Sequence, residues 1–277
     1  MKKIIWITSF PKSGNTWVRY LIANYFFNFK REFDPKIIRY INSLHLSKYV
    51  NKNGKRTPMD HIAKYWIKAQ EELEINNGNI AFLKNHHANI KFNGHSYTHS
   101  KLTLCVIHVV RDPRDVVISA LDYWGKDNYD QVIDLISNHE FFTGYHAKNN
   151  RVDEVIGSWG VNFNSWRDTL TDVPKLIVKY EDLVLDCKKE FSRIINFLSE
   201  IINFKVNEEL IDMSVKLSSF KNLSIAEKNG DFIEGSQIKG KFFRKGTTGQ
   251  YKEKLNLHQI KKIEEKFKEE MQYLGYL

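Results

Sequence analysis

The sequence predicts an α/β fold, one domain with a central parallel β-sheet flanked by helices, and three observations lead there. Short apolar, β-branched runs alternate along the chain with longer stretches of helical periodicity. A loop of anion-binding composition follows the first of those runs. No internal repeat, low-complexity tract or Pro/Gly/Ser linker divides the chain, so residues 1–277 are expected to form a single unit.

The apolar runs at 3–10, 80–84, 102–110 and 176–180 are short and alternate poorly between apolar and polar residues. That pattern is expected of strands buried on both faces of a parallel sheet. Helical patterns fill the intervals, the clearest at 15–29, 58–75, 113–124, 155–170 and 256–274, and Pro58 and Pro113 suit the first position of a helix. Residues 224–240, with three glycines among mixed charges, predict a mobile loop or lid.

Lys and Arg number 42 against 33 Asp and Glu in 277 residues, a net charge of +9 that favours an anionic partner. Many lysines sit in mixed-sign stretches such as 261–270, where they read as solvent-facing charge, so nucleic acid is the weaker partner. Cys105 and Cys187 show neither metal-ligand spacing nor a disulfide framework, which fits a reducing cytoplasm. The apolar run after Met1 is too short for a signal peptide, and no segment reaches the roughly 20 apolar residues of a membrane span. A soluble, cytoplasmic protein without a membrane partner is expected.

The run Pro11-Lys12-Ser13-Gly14-Asn15-Thr16-Trp17 links the first predicted strand to the first predicted helix. Backbone N–H groups and the helix dipole converge there on an anion, Gly14 permits close approach, Lys12 adds a full charge, and the Ser13 and Thr16 hydroxyls can donate. It lacks the Gly-Lys-Ser/Thr ending of nucleotide triphosphatases, which disfavours a standard P-loop ATPase. It resembles instead the P-loop-like phosphosulfate-binding loop of the cytosolic-type sulfotransferases, Pro-Lys-Ser-Gly-Thr-Thr-Trp, from which it differs at Asn15.

Further segments resemble that family in the same order. Val109-Val110-Arg111-Asp112-Pro113-Arg114-Asp115 with Ser119 is similar to its 3′-phosphate-binding segment, which implies contacts from Arg111 and Ser119. Phe243-Arg244-Lys245-Gly246-Thr247-Thr248-Gly249 is similar to its Arg-Lys-Gly-x-x-Gly clamp over the same phosphate. Lys179-Tyr180-Glu181-Asp182-Leu183 matches a strand end whose tyrosine, here Tyr180, hydrogen-bonds the nucleotide. By the same resemblance Ser218, Phe220 and Leu223 line an adenine pocket, with Phe220 and Trp17 stacking on the base. The donor so implied is 3′-phosphoadenosine 5′-phosphosulfate (PAPS), the product 3′-phosphoadenosine 5′-phosphate (PAP), and the partner a small-molecule acceptor.

Lys84-Asn85-His86 ends a predicted strand and resembles the family's Lys-Thr-His, which implies His86 as general base and Lys84 as a cation on the sulfuryl oxygens. Imidazole suits the task because an unperturbed pKa of about 6.5 leaves it neutral near pH 7. Adjacent His87 points to the opposite face of an extended strand end, so His86 is the expected base. Lys12 would stabilise the leaving phosphate. A sulfuryl group carries less charge than a phosphoryl group, so lysines and backbone donors can serve and no metal is required.

The chain departs from the family pattern in places. Asn85-His86-His87-Ala88 replaces Thr-His-Leu-Pro, Tyr251 replaces a tryptophan, and 252–261 lacks the Thr, Val and Glu of an animal dimerisation segment, which leaves the oligomeric state open. The aromatic residues Tyr123, Trp124, Phe141, Phe142 and Tyr145 fit either an acceptor pocket or helix packing. Two other readings stand beside the resemblance: a nucleoside-phosphate kinase with Asp112 or Asp182 on magnesium, and a basic nucleic-acid-binding module.

Overall fold

The computed structural model describes residues 3–49, 57–75, 79–143, 154–232, 234 and 241–277. In chain order, β1 (Lys3–Ser9) runs into α1 (Asn15–Phe27), and α2 (Met59–Ala63) and α3 (Trp66–Glu71) precede β2 (Ile80–Asn85). The short antiparallel pair β3 (Lys91–Phe92) and β4 (His95–Ser96) leads to β5 (Thr103–Val110), α4 (Pro113–Ala120) and α5 (Tyr129–Ser137). A second antiparallel pair, β6 (Phe142–Thr143) and β7 (Glu154–Val155), precedes α6 (Trp159–Asp168) and β8 (Lys175–Lys179). Helices complete the chain: α7 (Tyr180–Leu185), α8 (Cys187–Ile202), α9 (Glu208–Leu217), α10 (Phe220–Lys228), α11 (Tyr251–Lys254), α12 (Leu257–Lys266) and α13 (Lys268–Tyr273).

The central sheet has four strands in the order β2-β1-β5-β8, and every neighbouring pair is parallel. Its strands alternate between two cores, as expected of a sheet covered on both faces. Ile5 and Ile7 of β1 face a core shared with α1, α8 and α9, while Ile4 and Trp6 face one shared with Trp66, Tyr97 and Trp166. A third cluster joins Val116 and Val117 of α4 to α5, α6 and the C-terminal helices through Ile133, Trp159, Ile263 and Phe267. Parallel strands end at one edge, so the residues that follow β1, β2, β5 and β8 gather along a single crevice.

Several predicted helices are shorter than their periodicity. The 58–75 pattern breaks at Tyr65, whose N–H bonds back three residues to Ile62 (2.9 Å), and the helix restarts at the fully buried Trp66. The 155–170 pattern begins late because Val155 pairs with Phe142 and Gly157 takes φ 69°; the Ser158 side chain then accepts from Val161 N and caps α6. Phe267, at φ −119° and ψ 26°, divides 256–274 into α12 and α13. The proposed loop at 224–240 is helix α10 through Lys228, because the Ser219 side chain caps a helix that runs into it. Residues 233 and 235–240 of that stretch lie outside the described residues.

Arg114 ties the site-bearing helix α4 to the C-terminal helices. Its guanidinium donates to both oxygens of Asp112, to Glu264 and to the carbonyl of Tyr276, and lies 4.2 Å over the Tyr251 ring. Asp112 in turn caps α4 by accepting from Arg114 N (2.9 Å). Replacing Arg114 leaves that buried carboxylate unpaired, so Arg114→Met should destabilise the fold by about 3–5 kcal/mol, read as a lower midpoint in thermal or urea unfolding.

Candidate active site

The loop after β1 is shaped by what lies against it. Lys12 (φ 69°) and Gly14 (φ 103°) both take left-handed backbone, a conformation that costs a non-glycine residue about 1–2 kcal/mol. A Cβ at Gly14 would stand 2.7 Å from the Tyr180 ring, so glycine lets the ring that follows β8 press onto the loop. Tyr180 also meets Trp17 of α1 edge-on at 6.0 Å and carries the Arg111 guanidinium over its face at 4.3 Å. Asn15 Nδ2 donates to the Ile7 carbonyl (2.9 Å), tying the start of α1 back to β1. The Ser13 hydroxyl is buried and has no hydrogen-bond partner among the described residues.

Arg111, one residue past β5, joins three predicted segments. It donates to the carbonyls of Lys12 (3.3 Å) and Thr247 (3.2 Å), and its Nε is buried without a partner among the described residues. The buried Asp115 carboxylate, 4.0 Å from Arg111, accepts from Gly249 N (2.6 Å) and Tyr251 N (3.1 Å), anchoring the glycine-rich clamp to α4. From the other side Glu227 of α10 accepts from the backbone of Phe242 and Phe243. Gly246 (φ 65°) repeats the device of Gly14, since a Cβ there would stand 2.6 Å from the Phe220 ring.

These contacts crowd positive charge. Lys12 Nζ sits 4.1 Å from the Phe242 ring centre and 4.5 Å from that of Tyr123. Burial, then the Arg111 and Arg244 charges, pull its pKa down to about 7. Arg244 is itself 4.0 Å from Asp122, and Lys245 is exposed. Cations gathered at this cost are stabilised by an anion between them.

His86 follows β2 at the same edge of the sheet. Its Nδ1 lies 2.9 Å from the Ser9 carbonyl, and because a carbonyl can only accept, Nδ1 carries the proton and Nε2 keeps a lone pair. Burial and the Lys84 charge push its pKa down to about 3, so the ring is neutral across the physiological range. Lys84 Nζ lies 3.8 Å from Glu234, which is also bonded by Arg19 (2.7 Å) and Thr16 (3.2 Å). Burial raises the Glu234 carboxyl, but Lys84 and Arg19 outweigh it and hold the pKa at about 2. His87 points away into the core, stacked 4.2 Å from Tyr97, as the alternation of an extended segment requires.

The sequence-predicted residues do not all reach the crevice with their side chains. Ser218 is fully buried and its hydroxyl accepts from Asn24 of α1 (3.1 Å), while Leu223 packs in the core beneath α10. Ser119 is half-buried on α4, the helix that follows Arg111. Of the aromatic residues, Phe141 is buried and meets Trp124 edge-on at 5.2 Å, and Phe142 faces Phe92, so packing accounts for these three; Tyr145 lies outside the described residues. Sequence reasoning missed Ser9, Arg19, Asp115, Glu227 and Glu234. Asp115 alone carried a signal, its place in the Arg111–Asp115 run.

Comparison with known proteins gives this arrangement a family. A sequence model of the sulfotransferase domain matches residues 2–275. Mouse (Mus musculus) sulfotransferase 2A6 is 25% identical over 269 residues, covering 96% of this chain and 83% of that protein. Among solved structures, mouse sulfotransferase SULT7A1 complexed with PAP superposes with a TM-score of 0.60 at 20% identity, over 98% of this chain and 85% of that one. Retinol dehydratase in complex with androsterone and PAP does so with a TM-score of 0.64 at 14% identity, over 97% and 80%. With the match running almost from end to end, this chain belongs to the sulfotransferase family.

Proposed function

We propose that this sulfotransferase, taken as one domain over residues 1–277, moves a sulfuryl group from PAPS to a hydroxyl or amine of a small molecule by in-line displacement, without a metal. The observation that carries this reading is the convergence of Lys12, Arg111 and Arg244, three cations close enough that two of them depress the pKa of the third. A nucleotide with phosphate at both ends of its ribose answers that charge. The site fits it on further grounds: Ser13 Oγ and Arg111 Nε are buried polar atoms without partners among the described residues, and Gly14 and Gly246 let the rings of Tyr180 and Phe220 close against the two loops.

In this reading Lys12, Ser13, Gly14, Thr16 and the backbone of Asn15 hold the 5′-phosphosulfate, and Arg111, Ser119, Arg244, Lys245 and Gly246 hold the 3′-phosphate. Trp17, Tyr180 and Phe220 offer ring faces to the nucleoside, with Ser218 and Leu223 supporting the pocket from behind. The bound donor supplies an electrophilic sulfur and a phosphate leaving group. His86 Nε2 accepts the acceptor's proton as the new O–S or N–S bond forms and the bond from sulfur to the bridging phosphate oxygen breaks. Lys84 neutralises charge on the sulfuryl oxygens and Lys12 charge on the departing phosphate.

PAP in the related structures supports the choice of donor, and retinol and androsterone in those of retinol dehydratase support a small-molecule acceptor. We place the protein in the cytoplasm on the strength of its two free cysteines. No helix among the described residues is long and apolar enough to cross a membrane.

His86→Ala should keep the thermal stabilisation given by PAP and lose roughly 10²- to 10⁴-fold in turnover; near-normal turnover with PAPS would remove His86 as the base. PAP affinity should fall as pH rises above about 7, because free Lys12 then loses the proton that a bound phosphate favours. The check is isothermal titration at pH 6.5, 7.5 and 8.5, in which Lys12→Met flattens the dependence. EDTA should leave turnover unchanged, and complete loss would return the kinase reading.

A further inference from the structure

We propose that Asn162, a fully buried residue of α6, is a positioning residue for His86. The inference rests on His86 being the base. The argument begins with the sheet, whose β1–β2 pairing ends at Thr8 opposite Asn85, so the residue that carries the imidazole lies just beyond the ladder. Strand pairing therefore does not fix His86, and its position depends on bonds from elsewhere.

Those bonds come from one face of α6. Asn162, Ser165 and Trp166 are spaced i, i+3 and i+4, so they share a side of the helix. Asn162 Nδ2 donates to the His86 carbonyl (2.9 Å), Trp166 Nε1 to the His87 carbonyl (2.9 Å), and Ser165 Oγ accepts from Asn89 N (2.9 Å). Asn162 alone among these grips the base residue itself. The same amide nitrogen donates to the Ile156 carbonyl (2.9 Å), so both its hydrogens are spent on carbonyls and only a two-hydrogen donor can fill the place.

The imidazole is then held at its two ends. Asn162 fixes the main chain, and Ser9 fixes the ring through its carbonyl (2.9 Å) and hydroxyl (3.2 Å) at Nδ1. Ser9 lies three residues before Lys12, so a shift of the His86 main chain moves the base relative to the donor loop. Such misplacement of a reacting group by about 1 Å costs on the order of 100-fold in rate. Among the described residues the charged groups facing His86 are Lys84, two positions before it, Arg19 of α1 and Glu234, and none of them bonds the ring, whose hydrogen bonds there run to Ser9.

The test is nitrogen-15 NMR of the histidine rings in Asn162→Leu, with His86→Ala to assign the signal, and it needs no acceptor. The wild-type His86 ring should be protonated at Nδ1 and stay neutral to pH 5. In Asn162→Leu it should show mixed tautomers and a titration midpoint moved toward about 6.5, while PAP still raises the thermal midpoint. Turnover should fall about tenfold to 100-fold with the KM for PAPS unchanged. Should the leucine variant not fold, Asn162→Gln, which carries the amide on a longer arm, is measured in the same way. A folded variant with the wild-type tautomer and midpoint overturns the proposal. Normal turnover in His86→Ala instead overturns the base assignment and leaves the ring measurement standing.

Discussion

Arg111 is the point through which the rest of the site is connected. Its guanidinium reaches the loop after β1 through the Lys12 carbonyl, the clamp through the Thr247 carbonyl, and the end of β8 through the face of Tyr180. Three segments separated by most of the chain length are thereby set against one another. The neighbouring Asp115 completes the junction by accepting from Gly249 and Tyr251, so the clamp is fastened to α4 at the residue pair where α4 leaves the sheet. A parallel sheet makes this possible because its strand ends lie side by side.

The same junction has an electrostatic consequence. Asp115 engages two backbone N–H groups of the clamp and lies 4.0 Å from Arg111, too far for a close ion pair, so the local positive charge is only partly offset. Lys12, buried and facing Arg111 and Arg244, holds its proton weakly and rests against the rings of Phe242 and Tyr123. Aromatic faces attract a cation without presenting a competing carboxylate. Beside the neutral His86, Lys84 and Arg19 share the single carboxylate of Glu234.

The strands of the sheet were legible in the sequence because each is a short apolar run, although β8 at the sheet edge is only half-buried, while Lys12, His86, Arg111 and Tyr180 were read with the help of the family resemblance; the structure sets Lys12 three residues past β1 and the other three immediately past β2, β5 and β8. Helix limits were less so. The breaks at Tyr65 and Phe267 lie within unbroken apolar periodicity, and no proline or glycine marks them. Ser218 and Leu223 were read from resemblance as pocket residues, but sequence order does not say which way a side chain turns, and both turn inward. Glu234 and Arg19 are more than two hundred positions apart, so no local pattern could pair them.

The segment Asn85-His86-His87-Ala88, which stands where the family pattern has Thr-His-Leu-Pro, is held in place by its own side chains. Asn85 turns its side chain back on its own segment, accepting from His87 N (2.8 Å) and donating to the His87 carbonyl (3.0 Å), while the Tyr97 hydroxyl donates to the same oxygen that His87 N uses. His87 packs against Tyr97 and Trp66 and fills the core behind His86. A strand exit closed by an asparagine and backed by a histidine is therefore braced from within. Because the Asn85 bonds run to main-chain atoms of His87, the direction of the neighbouring imidazole depends on the fold of the segment more than on which residues surround it.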